Sequence, residues 1–295
     1  MRPSRLMVPL ALVALAVPAQ AAGPVADPAA AEMSLTTPDG FILKGTLALP
    51  PAKGKVPVVI LAHQFHADRA GWAPLAERLH ARGIGTLALD LRGHGDSTQK
   101  AGAEVKVTDD FAASAKAVGF DKIPADLAQA AAWLRKQHGV DGRRIGLAGA
   151  SFGAFAVILA EPQVHPVAVL SLSPAGNAAF GDNASAELKA GILKGRASVL
   201  VLAAAEDKGA FDNAEAMKGL PGVEVLASEG KAHGFDYLKD RTDTMAVFFG
   251  EYLTYHHTGQ GYAAGGKKAP AKSIDGKTVI NEQTLAEKRA AENAK

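Results

Sequence analysis

Ser151 lies at the centre of a Gly-Ala-Ser-Phe-Gly segment, residues 149–153, directly after the strand-like run 144–148. This is the G-x-S-x-G pattern, in which a serine occupies a sharp strand-to-helix turn and the two glycines leave room for that turn. A serine held in this way is exposed and can act as a nucleophile. The pattern also arises by chance in chains rich in glycine, and this chain has 31, so the surrounding sequence must decide.

The residues after Ser151 favour the catalytic interpretation. Residues 152–160 predict a helix with no charge before Glu161 and a stop at Pro162. Ser151 would then precede a helix N-terminus, where backbone N–H groups stabilise negative charge. The N–H of Phe152 would supply half of an oxyanion hole.

Two later loops offer partners for the serine. The apolar strand 197–203 is followed by Asp207, and the strand 223–227 is followed by His233. The chain order Ser, Asp, His, with each residue just after a strand, is the order of a known hydrolytic triad. We predict His233 as the base and Asp207 as the acid that orients it, with the adjacent Glu206 as the alternative acid.

Four motifs of this chain resemble those of the α/β-hydrolase superfamily, and they follow one another in that family's order. One is the segment at 149–153. Residues 58–63 are similar to the family's strand leading into an oxyanion turn, and residues 90–97 to its loop after the next strand. The Ala-His-Gly-Phe segment at 232–235 is similar to the dienelactone hydrolase-like branch and its esterase relatives. The resemblance extends from about 34 to 255. It implies a triad of Ser151, His233 and Asp207, with the N–H groups of Phe65 and Phe152 as the oxyanion hole.

The chain departs from the family pattern at two points. Gln64 stands where the family usually has glycine, so we expect its backbone to take a shape normally given to glycine, with its side-chain amide free to anchor the turn. The dienelactone hydrolases proper use a cysteine nucleophile, whereas this chain has no Cys. The resemblance therefore points to a serine esterase and not to that enzyme's own reaction.

The elements around these motifs predict the fold class. Residues 33–49 alternate in polarity and turn at Pro38-Asp39-Gly40, which indicates a β-hairpin. Beyond it, wholly apolar strands alternate with helical patterns, as in a mostly parallel, doubly wound α/β sheet with helices on both faces. The predicted strands before the acid loop are 56–62, 84–91, 144–148 and 167–172. A stripe in the last helix is predicted to be core: Met245, Phe248, Phe249, Tyr252 and Leu253.

The chain is predicted to have three parts. Residues 1–21 have the basic, apolar and Ala-Gln-Ala segments of a secretory signal peptide cleaved after Ala21, and their apolar run is too short for a stable membrane anchor. Residues 22–258 form one α/β-hydrolase domain, and 259–295 form a flexible basic tail with a short helix near its end. We expect an exported protein, periplasmic or secreted, whose lack of Cys excludes disulfides.

Charge and histidine content narrow the kinds of ligand and partner that the chain is expected to bind. Residues 22–258 carry 23 basic and 26 acidic side chains, so no basic footprint for nucleic acid is present. His63, His66 and His94 invite a metal interpretation, but their loop spacing lacks the helical H-E-x-x-H arrangement. We therefore predict no metal and no cofactor, and expect His63 and His94 to hydrogen-bond the loops around Ser151. The oligomeric state is left open.

Two connections bear on the substrate. The segment 98–124 either walls the active-site cleft or forms a surface excursion with its own small core, and the sequence favours neither. The segment 174–196 has room for one short helix, so a large lid is not expected. The predicted reaction is hydrolysis of a small to medium carboxylic ester through an acyl-enzyme on Ser151. The alternatives are a thioesterase, acyltransferase or peptidase of the same fold, or a non-catalytic binding protein.

Overall fold

A computed structural model of the chain describes residues 29–254. The predicted signal peptide at 1–21 and the tail at 259–295 lie outside the described residues, so the three-part division stays a prediction. Most of the predicted domain, in contrast, is described.

The described strands form one ten-stranded sheet. In chain order they are β1 (Ala29–Thr36), β2 (Phe41–Leu49), β3 (Val56–Ala62), β4 (Gly85–Asp90), β5 (Gln99–Lys100), β6 (Ala103–Glu104), β7 (Val140–Ala150), β8 (Ala168–Leu172), β9 (Ser198–Ala204) and β10 (Val223–Ser228). The order across the sheet is β10-β9-β8-β7-β3-β4-β2-β5-β6, with β1 paired to β2. The strands from β10 to β4 are parallel, and those beyond β4 are antiparallel.

Helices cover both faces of this sheet. They are α1 (Ala73–His80), α2 (Phe111–Ser114), α3 (Ile123–Leu134), α4 (Phe152–Val164), α5 (Ala184–Lys194), α6 (Lys208–Met217) and α7 (Thr242–Leu253). Helices α3 to α6 pack on one apolar cluster, and α1 and α7 pack on the other. The central strands are buried on both faces because each face has its own layer of helices, which confirms the predicted doubly wound fold. The aromatic stripe of α7 is buried as predicted.

Helix α4 is longer than the sequence predicts. It continues through Pro162 to Val164, and the next residue, His165, has a left-handed φ of 52°. Pro162 lacks an N–H and so removes one helical hydrogen bond. It is the third residue from the end of the helix at Val164, so the loss falls in the last turn. A proline this close to the C-terminus is tolerated, and the predicted stop at that position is wrong.

The carboxyl ends of the parallel strands meet along one edge of the sheet. Ser151 follows β7, Asp207 comes shortly after β9, and His233 comes after β10. Parallel α/β sheets bind ligands at this edge, because the loops after the strands converge there. The topology alone therefore brings together residues that are far apart in the sequence.

Candidate active site

Ser151 occupies the sharp turn that its motif predicts. Its φ of 54° and ψ of −119° lie in a region that side-chain-bearing residues rarely adopt. A Cβ atom on Gly149 would lie 2.2 Å from the carbonyl oxygen of Gly153, and one on Gly153 would lie 2.4 Å from the carbonyl oxygen of His63. Both positions therefore require glycine.

The backbone of Ser151 is fixed from two sides. Its N–H donates to the carbonyl of Leu172 at the end of β8, at 2.8 Å, and its own carbonyl accepts from Phe155 N–H at 3.1 Å. These bonds hold the turn rigidly between the strand and the helix. A strained conformation persists only where surrounding structure fixes it in this way.

Asp207 and His233 form a hydrogen-bonded pair. The Asp207 Oδ2 atom lies 2.6 Å from His233 Nδ1. Because a carboxylate can only accept, Nδ1 carries the proton and Nε2 is left as an acceptor. The side chain of Glu206 is exposed and lies 3.9 Å from Lys231, so it takes no part in this pair.

Ser151 and His233 line one cleft of about 350 Å³. The other lining residues are Gln64, Phe65, Phe111 and Gly176. The cleft thus combines a hydroxyl, an imidazole paired to a carboxylate, and an apolar wall.

The two N–H groups predicted for the oxyanion hole belong to Phe65 and Phe152. Among the described residues, neither N–H donates a hydrogen bond to another protein group. Phe152 is the first residue of α4, where N–H groups point out of the helix along its axis. Neither donor is thus taken up by a protein acceptor.

The expected glycine-like backbone at Gln64 is wrong. In this turn the positive φ, 59°, falls on His66 and not on Gln64. The Gln64 side chain does act as an anchor, but for a different loop, since its Oε1 accepts from Phe235 N–H at 2.8 Å.

His63 and His94 hydrogen-bond neighbouring loops, as the sequence predicts. His63 Nδ1–H donates to the carbonyl of Gln64 at 2.7 Å, while its Nε2 accepts from Leu91 N–H at 3.0 Å. Both ring nitrogens of His63 are satisfied only when the ring is neutral, and burial lowers its pKa to about 4. Burial, reinforced by the neighbouring His63, lowers the pKa of His94 to about 3. His94 Nδ1 lies 3.1 Å from the carbonyl of Arg92.

Charged and polar side chains hold the loop after β4 in place. Asp90 accepts from the backbone N–H groups of Arg69 and Asp96, at 2.8 Å each, and pairs with the Arg69 guanidinium. The Ser97 hydroxyl donates to the Asp90 carbonyl at 2.7 Å and accepts from Lys44 N–H at 2.8 Å. These contacts explain why the motif at 90–97 is dense in polar residues.

Arg92 joins three parts of the chain from a buried position. Its guanidinium donates to both carboxylate oxygens of Asp126 on α3, at 2.6 and 2.7 Å. It also donates to Asp39 in the β1–β2 turn and to the carbonyl of Val118. Arg92 therefore anchors the segment that precedes α3 to the body of the domain.

The segment 98–124 both walls the cleft and packs into the main core. Phe111 lines the cleft, and its ring centroid lies 5.1 Å from that of Phe65 and 5.7 Å from that of Phe120. Phe120 is buried in the same apolar cluster as the sheet. The cleft-wall alternative is thus confirmed, and the alternative of a surface excursion with its own small core is wrong, because Phe120 packs into the core of the sheet. Between 174 and 196 the structure has a short 3-10 turn and one helix, α5.

Sequence reasoning missed Ser173, which lies directly after β8. Its φ is 53°, its side chain is buried, and its hydroxyl accepts from Gly234 N–H at 3.0 Å. No sequence motif marks this contact, because it joins loops that only the folded sheet brings together. The position of a serine just after an apolar strand was the single available signal.

The described residues, 29–254, contain no group of three or more His, Asp or Glu side chains arranged to hold a metal ion. None of their helices is both long enough and apolar enough to cross a bilayer.

The fold and the site together define an α/β hydrolase. Residues 58–268 match the profile of the alpha/beta hydrolase family, and the chain belongs to that family. Two curated relatives are 30% identical to it. One is the uncharacterized protein Rv2307c of Mycobacterium tuberculosis, over 158 residues, 52% of this chain and 50% of that protein. The other is the thiohydrolase aneE of Aspergillus aculeatus, over 173 residues, 57% of this chain and 49% of that protein. The chain thus spans about half the length of these relatives.

Solved structures share the fold at lower identity. A dienelactone hydrolase from Anabaena variabilis superposes with a TM-score of 0.58 at 20% identity, over 77% of this chain and 99% of that one. Est1E from Butyrivibrio proteoclasticus gives 0.55 at 18%, over 75% and 98%. An acetyl xylan esterase from Paenibacillus sp. R4 gives 0.59 at 16%, over 78% and 86%. At these identities the neighbours show that the chain shares their fold.

Proposed function

We propose that the protein is a serine hydrolase that cleaves small to medium carboxylic esters through an acyl-enzyme on Ser151. The observation that carries the proposal is the 2.6 Å contact between Asp207 and His233, at a cleft that Ser151 also lines. A surface histidine has no need of a carboxylate at this distance. A nucleophilic serine does need a base held in one tautomer.

The proposed reaction proceeds in two halves. In the first half, His233 Nε2 takes the proton of the Ser151 hydroxyl as its oxygen attacks the ester carbonyl, and then returns that proton to the departing alcohol. In the second half, a water molecule loses its proton to Nε2 and attacks the acyl-enzyme, and Ser151 regains the proton as the acid leaves. Asp207 stabilises the charged imidazole in both halves.

We assign the oxyanion hole to the N–H groups of Phe65 and Phe152. Their lack of protein acceptors supports this assignment. Loss of one such donor typically costs about 10²–10³ in kcat. In a crystal structure of the phosphonylated enzyme, the phosphonyl oxygen should lie within hydrogen-bond distance of both N–H groups. A distance beyond that reach at Phe65 would require another donor.

The cleft lining favours an uncharged acyl group of limited size. Among the described lining residues, His233 is the only one with an ionisable side chain, so an anionic acyl group would find no cationic partner there. A Cβ atom on Gly176, whose φ is 82°, would lie 3.0 Å from the ring of Phe111, so the two residues are close neighbours in the cleft lining. Phe111→Ala should raise activity on longer acyl esters relative to acetate. An unchanged acyl-length profile would show that Phe111 does not limit the substrate.

Thioester hydrolysis is the second candidate, because a curated relative is a thiohydrolase. The same triad would serve, since a thioester carbonyl is attacked in the same way. Matched oxygen and sulfur esters with identical acyl groups separate the two activities by their kcat/KM ratio. A ratio strongly in favour of sulfur would replace the ester proposal.

Ser151→Ala tests the nucleophile directly. The variant should lose ester hydrolysis and covalent labelling by a fluorophosphonate, while its thermal unfolding stays close to that of the wild type. Ser34→Ala is the matched control, because Ser34 is exposed on β1 and outside the cleft lining. Turnover or labelling that persists in Ser151→Ala would refute the acyl-enzyme.

We also propose export from the cytoplasm. The support is the arrangement of basic, apolar and Ala-Gln-Ala segments within residues 1–21. Fractionation of expressing cells, with N-terminal sequencing of the product, should find the protein outside the cytoplasm beginning at Ala22. An uncleaved cytoplasmic product would overturn the proposal.

A further inference from the structure

We infer that Gln64 is a positioning residue for His233, holding the loop that carries the base against the turn that carries an oxyanion donor. The Gln64 Oε1 atom accepts from Phe235 N–H at 2.8 Å, across 171 positions of sequence. The inference rests on the proposed function, because it gives Gln64 a part in the same mechanism.

The loop after His233 is held at each of its next two residues. Gly234 N–H donates to the Ser173 hydroxyl at 3.0 Å, and Phe235 N–H donates to Gln64. The ring of Phe235 packs on Trp72, with centroids 5.0 Å apart. These contacts come from three different elements, so the backbone next to the base has little freedom to shift.

Gly234 and Gln64 fit each other sterically. A Cβ atom on Gly234 would lie 2.1 Å from Gln64 Oε1, and the φ of Gly234 is 51°. The amide oxygen can reach Phe235 N–H only because residue 234 has no side chain. This contact gives a physical reason for glycine immediately after the base, beyond the freedom of its backbone.

Gln64 is itself fixed at its other end. Its carbonyl accepts from His63 Nδ1–H at 2.7 Å and from Ala67 N–H at 3.1 Å. The His63 ring is fully buried. Gln64 therefore transmits the rigidity of a buried histidine to the base loop, and it keeps His233 at a fixed spacing from the N–H of Phe65. Active sites depend on such supporting hydrogen bonds to hold reacting groups in place.

Gln64→Met tests the inference, since methionine has a similar length but no amide oxygen to accept from Phe235. A displaced base impairs proton transfer more than binding, so kcat should fall by about 10- to 100-fold while KM changes little. The downfield proton resonance of His233 Nδ1–H, shared with Asp207, should broaden. Gln163→Met is the matched control, because Gln163 is exposed on α4 and away from the cleft. It should change neither property.

A wild-type measurement keeps the inference testable even where the variant fails to fold. The amide hydrogen of Phe235 should exchange with solvent at least about tenfold more slowly than the amide hydrogen of Lys231. The backbone N–H of Lys231 donates no hydrogen bond within the described residues. Equal exchange rates, or a Gln64→Met variant with unchanged kcat and an unchanged resonance, would overturn the inference. Failure of the serine mechanism would appear separately, as activity that survives Ser151→Ala.

Discussion

Replacement of Asp207 by asparagine should reduce kcat by about 10³–10⁴-fold, the size known for this change in a related triad. Asparagine matches aspartate in size, so the variant removes a charge and leaves the packing of the loop intact. The contact it alters is the 2.6 Å bond from His233 Nδ1 to Asp207 Oδ2.

Part of the expected loss of kcat in Asp207→Asn is electrostatic. Two unit charges 2.6 Å apart interact by about 6 kcal/mol at an effective dielectric constant of about 20, and by about 1.6 kcal/mol in bulk water. The side chain of His233 is 37% exposed and that of Asp207 is 19% exposed, so solvent screens the pair partly. A value of about 3 kcal/mol is reasonable, which corresponds to roughly 10²-fold in rate.

A change of tautomer in the His233 ring accounts for the rest of the expected loss of kcat. An asparagine amide that turns its NH₂ group toward His233 makes Nδ1 an acceptor and moves the ring proton to Nε2. Nε2 can then no longer take the proton of Ser151. The fraction of molecules in the reactive arrangement falls by a further factor of about 10–100, which brings the total to the predicted range.

Steady-state kinetics on one short-chain ester, with circular dichroism to verify the fold, would measure this loss. Glu206→Gln is the matched control, since the Glu206 side chain is 58% exposed and faces Lys231. Its kcat should stay close to that of the wild type. A large loss in Glu206→Gln with little change in Asp207→Asn would refute the assignment of the acid.

Three further changes test the scaffold. Gly149→Ala should destabilise the fold by about 1–3 kcal/mol or more in thermal unfolding, because its Cβ would meet backbone at 2.2 Å; Gly209→Ala, on a helix and with no atom within 4 Å of the new Cβ, should be neutral or stabilising. His94→Phe should flatten the dependence of unfolding free energy on pH below about pH 6 by up to about 1.4 kcal/mol per unit. The reason is that burial lowers the pKa of His94 from 6.5 to about 3, so its contribution is present above pH 6.5 and is lost as the pH falls toward 3; an unchanged slope in denaturant titrations would contradict this. Arg92→Lys should cost about 1.5–3 kcal/mol, because lysine keeps the charge but cannot bond both oxygens of Asp126, and a stability equal to the wild type would show that this two-point contact is dispensable.

The sequence predicts the parallel core of the fold well because its strands are apolar throughout. Strand β3 has the predicted bounds, Val56–Ala62, and β10 differs by one residue at its end. Strand β7 begins at Val140, earlier than predicted. The sequence does not mark its first half as a strand, because that half is mostly polar and carries no apolar signal. The sequence does not predict helix α6, since its first two turns contain a glycine and three polar residues, Lys208, Asp212 and Asn213.

The site was predictable only where a motif places a residue just after a strand. Ser151, Asp207 and His233 all follow strands whose ends share one edge of the sheet. The structure brings Ser151 and His233 to one cleft, and Asp207 is hydrogen-bonded to His233. The contacts of Gln64 and Ser173 with the base loop depend on the distance between loops in space. No periodicity or spacing within the sequence encodes that distance.

The contact between Gln64 and Phe235 also has a consequence for folding. Its partners are 171 residues apart, and all the strands from β4 to β10 lie between them in the chain. Contacts of such long range form late, because the chain must first close the intervening loops. On a ribosome, the turn that carries Gln64 emerges long before the loop that carries His233, so a nascent chain has no assembled cleft until nearly the whole domain has been made. Recovery of activity after denaturation should therefore lag behind recovery of helical circular dichroism.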